Sequence, residues 1–133
     1  MTDVPVMGSS VCAGFPSPAA DYVEGRLDLN QHLIRHPAAT FFMRVEGESM
    51  IGAGIFPGDL LVVDRSVEPL DGHVVIAQVS GDLTVKRLKG RAGQWRLKAE
   101  HPDFPDIHLD GDVDGETSAI WGVVRSSIRM LVT

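Results

Sequence analysis

The stretch "VVIAQVSGDLTVKRL", Val74 to Leu88, carries the clearest fold signal in the chain. Two apolar runs flank Ser80-Gly81-Asp82, and two such runs joined by a short glycine-containing turn are typical of a β-hairpin. Successive side chains of a strand point to opposite faces of a sheet, so Lys86 and the adjacent Arg87 leave the predicted second strand on opposite sides. We therefore expect one of these two cations to face the interior.

The chain around this hairpin contains further short apolar runs, separated by turn sequences such as "FPGDL" and "LDGH". This pattern predicts a mostly β fold built from many short strands. The predicted strands are Thr40–Glu46, Leu60–Asp64, Val74–Val79, Leu83–Leu88, Trp95–Ala99 and Ala119–Leu131, the last of them bent or bulged.

One short helix is predicted ahead of these strands. Apolar and polar residues alternate from residue 22 onward, which indicates a strand that leads into the helix. Asp28, followed three residues later by Gln31, resembles a capping box. The predicted helix spans Leu29–His36, and Pro37 ends it because proline cannot continue a helix.

The N-terminal part has a different character. Residues 1–20 show no helical or strand period and include three prolines, so we interpret them as a mobile or extended arm. The sequence thus predicts two parts, a flexible N-terminal arm at 1–21 and a mostly β domain at 22–133.

The composition bounds the class of protein. A chain of 133 residues with 44% hydrophobic residues is large enough to bury one hydrophobic core. The net charge of −6 argues against direct DNA binding, which requires clustered cations on the protein surface. No apolar run approaches the length of a membrane span, and the N-terminus does not resemble a signal sequence. With Cys12 as its single cysteine, the chain is expected in the reducing cytoplasm.

Ser49 is the first candidate catalytic residue. In "VEGESMIGAG", Val45 to Gly54, it follows a predicted strand and is surrounded by glycines that leave its hydroxyl uncovered. The position fits either a plain turn or a nucleophile open to substrate. A serine nucleophile needs a general base, because its free hydroxyl is hardly ionised near neutral pH.

Two candidates for that base differ in their chemistry. His73 beside Asp71 could complete a Ser–His–Asp triad, although a surface turn is the better explanation of this histidine. Lys86, held against apolar surroundings, would have a lowered pKa and could accept a proton as a neutral amine. Arg87 cannot do so because arginine stays charged, and we expect it to take no part in the chemistry. The residues alone also allow Lys86 to be an ordinary solvated lysine.

Three motifs, "GESM" at Gly47–Met50, "GDLLVVD" at Gly58–Asp64 and "TVKRL" at Thr84–Leu88, resemble the LexA/UmuD family of self-cleaving Ser–Lys peptidases of the SOS response. The stretch Gly14–Thr40 is also similar to the segment after the cleavage site in the UmuD branch, so the match covers nearly the whole chain. The resemblance implies a LexA-like catalytic domain of twisted antiparallel sheets, of the β-clip type. Gly52 departs from the pattern, since LexA-like repressors and signal peptidases often have proline there.

The resemblance also implies the site. By that resemblance Ser49 is the nucleophile, Lys86 is the general base, and no metal or cofactor takes part. The family cuts its own N-terminal region, usually between alanine or cysteine and a glycine that precedes Phe-Pro-Ser-Pro. In this chain the bond is Ala13–Gly14, where small residues would let an extended segment lie close to a nucleophile. The same segment can also be read as a simple linker.

The partners implied by the resemblance are a second copy of the chain, in a homodimer, and an error-prone Y-family polymerase catalytic subunit (UmuC-like), which the shortened form joins for translesion synthesis. A RecA filament on single-stranded DNA is expected to stimulate cleavage, with no direct sequence-specific DNA binding by this chain. Two alternatives remain. One is a fragment of a LexA-type repressor, which needs a DNA-binding domain of roughly 70 residues where this chain has only residues 1–13 before the bond. The other is a non-catalytic binding or regulatory module of the same fold.

Three further signals carry less weight. "DGDVDGE" at Asp110–Glu116 matches the start of an EF-hand loop, but Trp121 stands where calcium needs a bidentate glutamate. His32 and His36 are four residues apart on the predicted helix, without a third metal ligand. Cys12, beside the predicted cleavage site, is read as a recognition side chain.

Overall fold

The computed structural model describes residues 3–16, 22–109 and 118–132, and it divides into two compact units, residues 1–35 and 36–133. The first unit therefore includes the predicted strand near residue 22 and the helix, which the sequence had grouped with the globular part. None of the helices in the described ranges has the length and apolar character needed to span a bilayer.

The N-terminal unit is a β-hairpin followed by a short helix. Strand β1 (Asp3–Met7) pairs antiparallel with β2 (Val23–Asp28), and the Arg26 Nε donates to Asp3 Oδ1 at 2.9 Å. The sequence did not predict β1. Its side chains are all exposed, so backbone pairing forms the strand without any burial period that the sequence could show.

Helix α1 (Leu29–Leu33) starts where the sequence predicts it. The side chain of Asp28 caps it by accepting from the Asn30 N–H at 3.0 Å, one residue earlier than a capping box requires. The helix ends three residues before the predicted end at His36, with Ile34 already extended at its C-cap. A separate 3₁₀ turn follows at Pro37–Ala39.

The C-terminal unit is built on one seven-stranded antiparallel sheet with the strand order β3-β4-β9-β5-β6-β7-β8. This confirms the predicted mostly β fold. Its strands are β3 (Thr40–Arg44), β4 (Leu60–Asp64), β5 (Val74–Val79), β6 (Asp82–Lys89), β7 (Arg96–Lys98), β8 (Ile107–His108) and β9 (Ser118–Ile128). The two-residue strand β8 was not predicted.

The β5–β6 hairpin matches its prediction closely. Val79 pairs with Asp82, so the loop contains only Ser80 and Gly81, with φ of 52° and 90°. Two positive φ values in a two-residue loop are what a type I′ turn requires, and this turn fits the right-handed twist of the strands. The predicted irregularity of β9 is also confirmed, because its register shifts against both β4 and β5.

The apolar core lies on both faces of the central strands. Ile76 of β5 packs in one buried cluster with Met50 and Leu61, whereas its neighbours Val75 and Ala77 pack in a second cluster. Adjacent residues of one strand are thus buried on opposite faces. This explains why β5 reads as a continuous apolar run rather than an alternating one.

A buried carboxylate lies at the end of the segment between β3 and β4. Asp59 is 1% exposed and accepts from Arg129 Nε and Nη2 at 2.9 and 3.0 Å and from the Phe56 N–H at 2.9 Å. The hydrogen bonds from Arg129, opposed by burial, lower the pKa of Asp59 from 3.8 to about 2. Asp59 therefore stays ionised and ties this segment to the end of β9.

We expect Asp59→Ala to lower the free energy of unfolding by about 2 kcal/mol, since a buried N–H and a guanidinium lose their acceptor. Urea denaturation measures the change. The stabilisation should be fully present above the ordinary pKa of 3.8 and disappear as the pH falls through about 2, the folded-state value. Asp103→Ala, at a side chain that is 82% exposed, is the control. Equal urea midpoints for both variants would contradict the prediction.

Candidate active site

Ser49 lies in the nucleophile loop, which we define as residues 46–57 between β3 and β4. Hydrogen bonds between Val45 and the Gly58–Asp59 turn close the base of this loop, from Val45 N–H to Asp59 O at 2.9 Å and from Gly58 N–H to Val45 O at 2.8 Å. Met50, next to Ser49, is 1% exposed and belongs to the core. The buried Met50 anchors the loop, while Ser49 itself is only half-buried.

Gly47 and Gly54, on either side of Ser49, adopt φ values of 85° and 81°, in the left-handed region. Glycine is the residue that takes this conformation without steric cost. The glycines that surround the serine in the sequence therefore allow the tight path of the nucleophile loop.

Lys86 faces inward from β6, as one of the two adjacent cations was predicted to do. It is 8% exposed, and Leu88, two residues along the same face, is fully buried. Across the β5–β6 ladder Lys86 is opposite Val75, which is also fully buried. The amine is therefore on the apolar side of the strand.

The fold brings Lys86 and Ser49 into contact. Lys86 Nζ lies 2.9 Å from Ser49 Oγ, within hydrogen-bond distance. Nζ also donates to Thr84 Oγ1 at 2.9 Å and to the Val85 carbonyl at 3.3 Å. These two acceptors fix the direction of the amine toward the serine hydroxyl.

Burial lowers the pKa of Lys86 below its ordinary value of 10.5, because the charged ammonium loses its hydration. Within the ranges that the structure describes, no carboxylate forms an ion pair with this lysine that would favour the charged form. The neutral amine is the form that can accept a proton from Ser49 Oγ.

A cleft opens beside Ser49. Its wall combines polar and apolar surface, and it is lined by Met43, Arg44, Val45, Glu46, Ser49, Leu61, Ile76, Leu83, Thr84 and Val85. One wall continues from β3, which is an edge strand of the sheet. Edge strands have unpaired backbone groups, so an extended peptide can align along this wall.

The sequence contains no signal for Glu100, whose backbone contacts the nucleophile loop on both sides of the Ser49–Gly52 turn. The Glu100 N–H donates to the Ser49 carbonyl at 2.8 Å, and the Glu100 carbonyl accepts from the Gly52 N–H at 2.8 Å. Glu100 follows β7 in an irregular segment, and no motif or period in the sequence singles it out. Its contact with Ser49 depends on the tertiary fold alone.

The histidine alternatives are used elsewhere in the fold. His73 Nδ1 accepts from the Leu70 N–H at 3.1 Å, and Asp71 accepts from the Gly90 N–H at 2.8 Å, as in a surface turn. Neither of them is the partner of Ser49. The predicted pairing of His32 and His36 on one helix is wrong, because α1 ends at Leu33 and His36 instead pairs with the buried Asp64.

Ala13 and Gly14 lie in the N-terminal unit, in the segment that connects β1 to β2. Described residues of this segment from Ser10 to Pro16 are exposed, including Cys12. The Gly8 N–H donates to the Tyr22 carbonyl at 2.8 Å and closes the base of the loop. The predicted acidic loop, Asp110–Glu116, lies outside the described residues.

Comparison with known proteins places the chain in one family. The Peptidase S24-like family model matches residues 5–125. Protein ImpA of Escherichia coli is 57% identical over 126 residues, which cover 94% of this chain and 83% of the relative. Protein SamA of Salmonella typhimurium (strain LT2) is 46% identical over 117 residues, 88% of this chain and 79% of the relative. Protein MucA of Escherichia coli is 42% identical over 125 residues, 94% and 84% respectively.

The chain therefore belongs to the Peptidase S24-like family, a family of serine peptidases. Together with the ImpA, SamA and MucA proteins it is of the UmuD type, which comprises self-cleaving proteins of the SOS response.

Proposed function

We propose that this protein is a serine endopeptidase that uses a Ser49–Lys86 dyad to cut its own chain between Ala13 and Gly14. The observation that carries the proposal is the 2.9 Å contact between Lys86 Nζ and Ser49 Oγ. The 8% exposure of Lys86 adds to it, because an amine removed from water is more readily neutral than a solvated one. A neutral amine in contact with a serine hydroxyl can act as the general base for nucleophilic attack.

The reaction follows from these two groups. Lys86 Nζ takes the proton of Ser49 Oγ as the oxygen attacks the Ala13 carbonyl carbon. The N–H of Ser49 is the proposed donor to the oxyanion that forms. Lys86 then gives its proton to the Gly14 nitrogen as the peptide bond breaks, and water hydrolyses the ester that joins Ala13 to Ser49.

The properties of the cleavage segment support the choice of bond. Ala13 and Gly14 are exposed, and a Cβ added at Gly14 would meet no atom within 4 Å. Pro16 follows shortly and has no N–H to donate, so it limits pairing of the segment with a sheet edge. Because substrate and enzyme are one chain, no bimolecular encounter is needed, which raises the effective concentration of the bond.

In the cell, the proposed role is that of a switch. Removal of residues 1–13 converts a cytoplasmic homodimer into the accessory subunit of an error-prone Y-family translesion polymerase. A RecA filament on single-stranded DNA stimulates the cut. The UmuD-type relatives and the family resemblance support these partners.

The experiment that tests the proposed function is intact-mass spectrometry of purified protein during incubation at rising pH, with and without RecA filament on single-stranded DNA. We expect a product that begins at Gly14 and a complementary peptide of residues 1–13. Ser49→Ala is the control and should give no product. A product in Ser49→Ala, or a first residue other than Gly14, would overturn the assignment.

A further inference from the structure

The backbone of Glu100 holds the nucleophile loop by two hydrogen bonds. This residue donates to the Ser49 carbonyl and accepts from the Gly52 N–H, both at 2.8 Å. The backbone segments at Gly52 and Glu100 lie close together, since a Cβ built on Gly52 would be 2.5 Å from the Glu100 carbonyl oxygen. The position of Glu100 therefore constrains the peptide groups on both sides of the Ser49–Gly52 turn.

The side chain of Glu100 is in turn held by Arg87. Arg87 Nε donates to Glu100 Oε1 at 2.6 Å, and Arg87 Nη1 donates to the Gly72 carbonyl at 2.7 Å. Both side chains are half-buried, with 30% and 24% exposure. The guanidinium thus connects β6 to the turn before β5 and to the segment that braces the serine.

Lys86 and Arg87 are consecutive on β6, and both are connected to Ser49 by hydrogen bonds. Lys86 reaches the hydroxyl of Ser49 directly, whereas Arg87 reaches its backbone through Glu100. A displacement of the loop would change the distance between Ser49 Oγ and Lys86 Nζ without altering the lysine. In reactions that depend on preset geometry, a misplacement of about 1 Å can cost a hundred-fold in rate.

We propose that Arg87 and Glu100 are positioning residues that set the distance of Ser49 from Lys86. The proposal rests on the proposed peptidase function, and it departs from the expectation, drawn from the sequence, that Arg87 takes no part in the chemistry. Its effect is on the geometry of attack rather than on fold stability, because ion pairs with this degree of exposure stabilise proteins only slightly.

The chain offers a matched control pair. Arg96 of β7 donates from Nη1 to Asp106 Oδ2 at 2.7 Å, with side-chain exposures of 42% and 31%. This pair lies on the same sheet, and its length and exposure are close to those of Arg87–Glu100. It joins β7 to the segment before β8, so it tests the loss of an ion pair as such.

The experiment measures the reaction of Ser49 with diisopropyl fluorophosphate by intact-mass spectrometry, and self-cleavage in parallel. In the labelling step the Oγ–P bond forms, the P–F bond breaks, fluoride leaves and Lys86 takes the hydroxyl proton. The variants are Arg87→Gln and Glu100→Gln, their double variant, and the controls Arg96→Gln and Asp106→Asn. Thermal unfolding followed by circular dichroism defines a temperature at which every variant is folded.

Arg87→Gln and Glu100→Gln are each expected to slow labelling and cleavage about five- to ten-fold, within the range for misplaced reacting groups. The double variant should be no slower than the single ones, since both act through one contact. Arg87→Lys, which keeps the charge, should recover part of the rate. The pH at half-maximal rate should stay unchanged, because Lys86 remains buried.

The inference is overturned if Arg87→Gln and Glu100→Gln react at the wild-type rate, or if Arg96→Gln and Asp106→Asn slow the reaction equally. Should one variant fail to fold, the other still decides between these outcomes. A wild-type protein that is neither labelled at Ser49 nor cleaved would instead overturn the proposed function itself.

Discussion

Replacing Lys86 by arginine is expected to lower the self-cleavage rate at least about a thousand-fold. In serine peptidases, losing a residue that acts together with the nucleophile has an effect of this size. The arginine side chain stays charged and cannot accept the Ser49 proton. The guanidinium would also be buried away from water at this position, since Lys86 is 8% exposed. Intact-mass spectrometry measures the rate, and circular dichroism confirms that the variant is folded. Near-normal cleavage by Lys86→Arg would show that another group is the base.

The pH dependence of the wild-type rate is the companion measurement. Only the neutral amine of Lys86 acts as a base, so the rate should rise with pH and level off once the lysine has lost its proton. Burial lowers the pKa of Lys86, so the half-maximal rate should lie below pH 10.5, the ordinary value. A rate that does not change with pH would contradict a lysine base.

Replacing Gly14 by valine is expected to block cleavage while the fold survives. A β-branched side chain directly after the bond crowds the carbonyl carbon that Ser49 must approach, and it restricts the backbone conformation of the segment. The block cannot come from a local clash in the folded protein, because a Cβ at Gly14 would meet nothing within 4 Å. The mass spectrum of the Gly14→Val variant should lack the product beginning at residue 14 at a time when the wild-type protein is fully cut.

Gly25→Val provides the matched control for this variant. Gly25 lies on β2 in the same unit, and a Cβ there also meets nothing within 4 Å. This variant should be cut at the wild-type rate, because the change is distant from the bond along the chain. Normal processing of Gly14→Val would place the cleaved bond elsewhere, and a block in both variants would point to an effect on the N-terminal unit as a whole.

The elements predicted best are those whose signal lies within a few consecutive residues. Strands β4 and β5 begin and end where the sequence predicts them, and the Ser80-Gly81 turn forms with two positive φ values, which glycine adopts without steric cost at Gly81. Asp28 caps α1 because its short side chain can reach an N–H two residues ahead. Strand β1 escaped prediction because its exposed side chains leave only backbone pairing to define it.

By itself, the sequence determined the hairpin, the mostly β class, and the alternation that turns either Lys86 or Arg87 inward. Only the tertiary structure decided that Lys86 is the buried one and that its amine lies 2.9 Å from Ser49 Oγ. It alone brought Glu100 against the Ser49 turn and Arg87 against Glu100. The reason is physical: strand period and turn conformation arise from steric effects between neighbouring residues. Burial and contacts between distant side chains exist only after the strands have paired and the core has packed.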